Sequence, residues 1–117
     1  MSDNFKPFVI SVGDDEIADL KERLERTRWP DHLPDVGWDY GIDANLIEEL
    51  AEYWKDEFDW RSFETYLNSF ENLTTDIDGQ RIHTIHERSR NPDALPLLIS
   101  HGWPGSIVEF LDVIGPL

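Results

Sequence analysis

The 117-residue sequence has no cysteine, which excludes disulfides and thiolate metal sites alike. Basic residues are scarce: 10 Lys and Arg stand against 25 Asp and Glu, for a formal net charge of −15. So acidic a surface disfavours nucleic acid and anionic membranes as partners. No apolar run approaches the ~18 residues that span a bilayer. The opening Met1-Ser2-Asp3-Asn4-Phe5-Lys6-Pro7-Phe8 lacks the apolar core of a secretion leader. No signal peptide and a cytoplasmic location are therefore expected. Glycine-rich phosphate loops and a Gly-x-Ser-x-Gly nucleophile turn are missing as well. Aromatic residues, by contrast, are plentiful: five Trp and six Phe argue for packing rather than disorder.

The first two-thirds of the chain reads as helices. Ser11 with Asp14 makes a capping box, and Ile17, Leu20 and Leu24 repeat at helical spacing. That helix should stop near Thr27, because Trp29 precedes Pro30 and is pushed toward an extended conformation. Pro30 to Gly41 reads as an irregular segment pinned by Trp38 and Tyr40. A second helix follows an Asp43 cap, with Leu46, Ile47, Leu50, Ala51, Trp54 and Phe58 as an apolar stripe. Asp59 caps a third, with Trp60, Phe63, Leu67 and Phe70 inward. These stripes read as core.

Near residues 70–73 the period changes. Leu73 to Ile77 and Gln80 to Arg88 flank Asp78-Gly79, a two-residue hairpin signal of type I′. Leu97 to Ile99 is apolar without alternation, which predicts a strand buried on both faces in a parallel sheet. Ser106 with Glu109 is a capping box opening an apolar run at Ile107, Phe110, Leu111 and Ile114. Between strand and helix, His101-Gly102-Trp103-Pro104-Gly105 forces a sharp turn. Gly102 and Gly105 can take positive φ there, and Pro104 has no N–H to leave unpaired. Such a turn aims backbone amides outward near a helix start, which suits an anion or an oxyanion. The plain alternative is an ordinary strand-to-helix turn.

Other polar groups have plainer readings. His83 and His86 sit three apart on one strand and face opposite ways, so hydrogen-bonded strand histidines are expected and no metal site. His101 reads as a brace for the turn, and the acidic pairs Asp14/Asp15 and Glu48/Glu49 as solvated helix faces. No cofactor is expected.

The order His-Gly-X-Pro after a buried strand resembles the turn following the third strand of α/β-hydrolases. Further stretches carry the likeness along essentially the whole chain: Arg26-Thr27-Arg28-Trp29-Pro30, Trp38-Asp39-Tyr40-Gly41, Tyr53-Trp54, Trp60-Arg61 and Tyr66-Leu67-Asn68. Asp76-Ile77-Asp78-Gly79-Gln80-Arg81-Ile82-His83 and Ile85-His86-Glu87-Arg88-Ser89 complete it. Together they resemble the N-terminal portion of an epoxide hydrolase of the microsomal and juvenile-hormone type. The resemblance implies an incomplete α/β fold: a helical meander over residues 1–71, then the start of an α/β-hydrolase sheet over 72–117. It implies that the Trp103 backbone N–H supplies half of an oxyanion hole, in a turn made by His101, Gly102, Pro104 and Gly105. In the complete enzyme a carboxylate would open the epoxide to an ester, and a histidine-activated water would then release the diol. No Asp, Glu or His of this sequence matches those two roles, so the chain is expected to be inactive alone. Leu95–Ser100, an apolar strand with open edges, is expected to self-associate or to pair with the missing C-terminal hydrolase region. Epoxide would be bound only in the complete enzyme. The competing reading is a non-catalytic, self-associating interaction module.

Overall fold

The computed structural model describes residues 4–117; the leader reading rests partly on residues 1–3, outside that range. Its elements are β1 (Lys6–Pro7), α1 (Asp14–Glu25), α2 (Ala44–Asp56), α3 (Trp60–Leu67), β2 (Asn72–Ile77), β3 (Gln80–Ile85), a 3₁₀ turn (Ile107–Phe110) and α4 (Leu111–Ile114). They fall into two compact units, Ser11–Phe63 and the residues up to Ile10 with Glu64–Leu117.

In the Ser11–Phe63 unit, local chemistry sets the helix ends. Gly13 caps α1, and its amide donates to Glu16 Oε2 at 3.1 Å. The expected Ser11–Asp14 box does not form. Asp14 lies inside the helix and pairs with Arg61, whose Nη1 also donates to the Val12 carbonyl at 2.8 Å. Asp43 caps α2 by accepting from the Asn45 amide at 2.9 Å. Asp59 accepts from the Ser62 hydroxyl and amide at the start of α3, and these bonds, the hydroxyl first, hold its carboxyl below the usual range. Phe58, Trp60 and Phe63 cluster with ring centroids 5.8 and 6.1 Å apart.

Two expectations fail in this unit. Trp38 and Tyr40 do not pin the irregular segment; they are 62% and 81% exposed. The chain turns there on its own backbone, with Asp39 N–H donating to Val36 O and Gly41 N–H to Trp38 O. Leu46, Leu50 and Trp54 form no core either. Of the predicted stripe, Ile47, Ala51 and Phe58 are half-buried, while Leu46, Leu50 and Trp54 stay 36%, 52% and 49% exposed; helical spacing marks the apolar residues of α2 but leaves open how fully each is covered.

In the other unit the sheet runs β1-β2-β3, antiparallel throughout, with Leu73 opposite Pro7 and Thr84, and Ile77 opposite Gln80. The hairpin turns on Asp78 and Gly79 at φ 51° and 78°, both positive as a type I′ turn requires. Two asparagines tie this unit together. Asn68 grips the backbone of Ile10, accepting from its N–H at 2.9 Å and donating to its carbonyl at 2.8 Å. Asn72, 5% exposed, donates to the carbonyls of Leu67 and Phe70 at 2.8 and 3.0 Å and accepts from His83 Nε2 at 2.9 Å. Leu67 and Leu111 are the buried apolar residues among those described.

Leu97–Ile99 is not a strand. The segment has no regular structure, and Leu97 and Leu98 are 66% and 91% exposed. An apolar strand buried on both faces needs hydrogen-bonded neighbours and cover, and the three-stranded sheet supplies neither. No helix among the described residues is long and apolar enough to cross a membrane.

Desolvation lowers the His83 pKa from the ordinary 6.5. The unfolded chain therefore takes up that proton at a higher pH than the folded one. The stability this represents is full above pH 6.5 and declines as pH falls toward the lowered value. A Cε1–H titration by NMR should give a His83 midpoint below 6.5, and a midpoint above it would contradict this burial. Asn72→Ala should cost about 2–3 kcal/mol in chemical denaturation, since three hydrogen bonds go and two carbonyls lose a donor.

Candidate functional site

The turn from His101 to Ser106 is built by its own backbone and by two side chains of the helix start. Ser106 Oγ accepts from the Val108 amide at 3.3 Å, and the Glu109 carboxylate accepts from the Ser106 amide at 3.2 Å. The capping box read from the sequence is therefore present, at the head of a 3₁₀ turn that leads into α4. The amides of Ser106 and Val108 are thus satisfied within the chain.

His101 lies in the turn, with its Nδ1 donating to the Gly102 carbonyl at 3.1 Å. That bond assigns the proton to Nδ1. Trp103 is 96% exposed, and no described residue accepts from its N–H. The Trp103–Pro104 peptide is cis. The amides of Gly102 and Ile107 likewise have no acceptor among the described residues, while the side chains of His101, Ser106 and Glu109 are occupied with bracing the turn.

The glycines serve a different purpose from the expected one. Neither Gly102 nor Gly105 has positive φ. Gly105 is needed for space instead: a Cβ there would stand 1.6 Å from Glu109 Oε1. A Cβ at Gly102 would meet nothing within 4 Å. Sequence reading missed this because the crowding comes from a side chain that folds back four residues later.

The remaining histidines of the sheet unit are engaged elsewhere. His83 contacts Asn72, and His86 Nδ1 donates to Glu71 Oε2 at 3.0 Å. Among the described residues, no group of three or more His, Asp or Glu is placed to hold a metal ion. Gly105→Ala should displace the Glu109 carboxylate, destabilise the chain by about 1 kcal/mol, and speed hydrogen exchange of the Ser106 amide. Gly102→Ala should stay within about 0.5 kcal/mol of the parent. Equal effects would contradict the steric account.

Comparison with known proteins gives this geometry a setting. Residues 5–110 match the family model described as epoxide hydrolase N terminus. Epoxide hydrolase 1 of Oryctolagus cuniculus is 37% identical over 118 residues, covering 96% of this chain and 26% of that protein. The solved epoxide hydrolase of Aspergillus niger superposes with a TM-score of 0.82 at 38% identity, over 95% of this chain and 30% of that one. Juvenile hormone epoxide hydrolase from Bombyx mori gives 0.82 at 32% identity, again over 95% and 30%. The chain thus spans about a quarter of the length of the curated relatives it matches. Its fold is the helical meander and first strands of an α/β-hydrolase, a partial α/β fold whose three strands are antiparallel. On the family match and these likenesses together, the chain belongs to the epoxide hydrolase N terminus family.

Proposed function

We propose that this chain supplies the N-terminal part of an epoxide hydrolase, in which the Trp103 N–H forms half of the oxyanion hole. The supporting observation is that amide itself: it belongs to an exposed residue, has no acceptor among the described residues, and sits in a turn braced by the side chains of His101, Ser106 and Glu109. In the proposed reaction a carboxylate outside these 117 residues attacks the epoxide carbon and forms an ester. Water activated by a histidine then attacks the ester carbonyl. Negative charge gathers on the carbonyl oxygen during that second step, and a fixed amide pointing at it lowers the barrier. Of the four histidines, those at 83, 86 and 101 are bonded to Asn72, Glu71 and the Gly102 carbonyl, and His32 lies exposed in the irregular segment after α1, so in this reading the water-activating base also comes from outside these 117 residues.

The partner in this reading is the hydrolase region that follows in the relatives. It would cover the exposed row at Leu95, Leu97 and Leu98, which are 89%, 66% and 91% exposed. The chain exposes 10331 Å² in all. Two separate compact bodies sharing its mass would expose about 7,900 Å², so there is area for such an interface.

The test joins the downstream region of a solved relative to residue 117, or supplies it in trans, with styrene oxide as substrate. Neither part alone should form diol, and the pair should. Trp103→Pro, which deletes the N–H, should lower turnover about 100-fold or more, while Trp103→Ala, which keeps it, should be far milder. Equal turnover of the parent and the proline variant, with both complexes assembled, would refute the oxyanion role. Pairing of the chain with itself in place of the downstream region would favour the interaction-module reading.

A further inference from the structure

No described residue of the Ser11–Phe63 unit is fully buried. Where α1, the end of α2 and the start of α3 meet, the unit holds a cavity of about 160 Å³ in place of a packed centre. Val12, Ile17 and Leu20 line it from one side, and Trp54, Phe58 and Trp60 from the other. All of these but Trp54 are half-buried. Two sets of contacts fix the walls. Phe63 packs its ring against those of Phe58 and Trp60, each pair tilted by 56°. Arg61 ties the start of α3 to the approach to α1, donating to the Val12 carbonyl at 2.8 Å and pairing with Asp14. The shape of the cavity therefore belongs to the folded unit.

Volume and charge specify what fits. An apolar cavity of about 150 Å³ accepts one benzene ring, and two fused rings exceed that space. Trp54, Phe58 and Trp60 offer an aromatic ligand the edge-on and offset contacts that ring pairs favour. Glu16 and Lys21, the two charged residues lining the cavity, are opposite in sign and exposed. Glu16 is also drawn to the Gly13 amide, at 3.1 Å. A charged ligand of either sign would meet a like charge at the rim and lose its hydration against the apolar walls; an uncharged ring avoids both penalties. We propose that this cavity is a binding site for one uncharged molecule with a single six-membered ring, of about the size of toluene. Bound there, the ring would supply the packed centre that the unit lacks and so stabilise the folded state. The site lies in the compact unit that does not contain the His101–Ser106 turn, and it stands independently of the oxyanion reading.

Toluene, benzoate, benzylammonium and naphthalene test this against the full 117-residue chain. Binding is read from the indole NMR signals of Trp54, Trp60 and Trp103, assigned by their loss in Trp54→Phe, Trp60→Phe and Trp103→Phe. Toluene should move the Trp54 and Trp60 signals in one saturable step, leave that of Trp103, 96% exposed in the other unit, in place, and raise the unfolding midpoint. It should bind at least about ten-fold tighter than benzoate, benzylammonium or naphthalene. Ile17→Phe and, independently, Leu20→Phe fill the cavity from within and should weaken toluene by a similar factor with unchanged circular dichroism. Equal binding of naphthalene would remove the size limit, and equal binding of either ion would remove the selection against charge; each overturns the proposal. So would a Trp54 signal that toluene does not move, or movement of Trp103 alongside it, which marks unspecific adhesion. Loss of the Trp54 shift once the downstream region of a relative is joined at residue 117 would make that region the occupant and would overturn the ligand site as well.

Discussion

The sheet-bearing unit depends on a single buried amide, that of Asn72. The last residues of a helix have carbonyls with no partner inside the helix, and Leu67 is the last residue of α3. Asn72 Nδ2 reaches back to that carbonyl and to Phe70 O, while its Oδ1 receives His83 from the neighbouring strand. Helix end, connecting loop and hairpin are thereby fixed by one side chain of only two rotatable bonds. The position also starts β2, so the register of the hairpin follows from it. Asn68 repeats the device one turn earlier on the backbone of Ile10 and carries the N-terminal segment in as the third strand. With few buried apolar residues described in this unit, such directional bonds do more of the organising than area burial does.

What the sequence disclosed was local. Asp43, Asp59 and the Ser106–Glu109 pair cap helices as their positions predict, and Asp78-Gly79 turns the hairpin. Each of these follows from the geometry of at most four consecutive residues. What depends on distant partners was hidden. Leu97–Ile99 has the composition of an interior strand, yet a strand exists only where another accepts its hydrogen bonds. Leu46, Leu50 and Trp54 announce an apolar face without saying whether anything lies on it. Asn72 and Asn68 gave no periodic signal at all; their place between a helix end and a strand start was the available clue. At Gly105 the residue type was rightly singled out and its reason was not, because the crowding atom belongs to Glu109.

The family relationship explains why so much apolar surface is tolerable. Relatives of this family are about four times as long as the region matched here, and their remaining length has to pack against something. Exposed leucines at 95–98 and the row on α2 lie in different compact units, so surfaces suited to cover occur on both. In the proposed reaction the labour divides in the same way: nucleophile and base come from outside this region, and the region provides a rigid polar contact for charge that it does not itself create.

The carboxylate of Glu109 gives that contact an unexpected kind of selectivity. It already occupies the head of the 3₁₀ turn, accepting from the Ser106 amide. Free anions approaching the turn meet a negative group there, and the Ser106 and Val108 amides are already taken. In the proposed reaction, metabolite acids, product-like carboxylates and buffer ions would then compete poorly beside Ser106, and the Trp103 amide would be kept for an oxygen that becomes charged only after it has been delivered there.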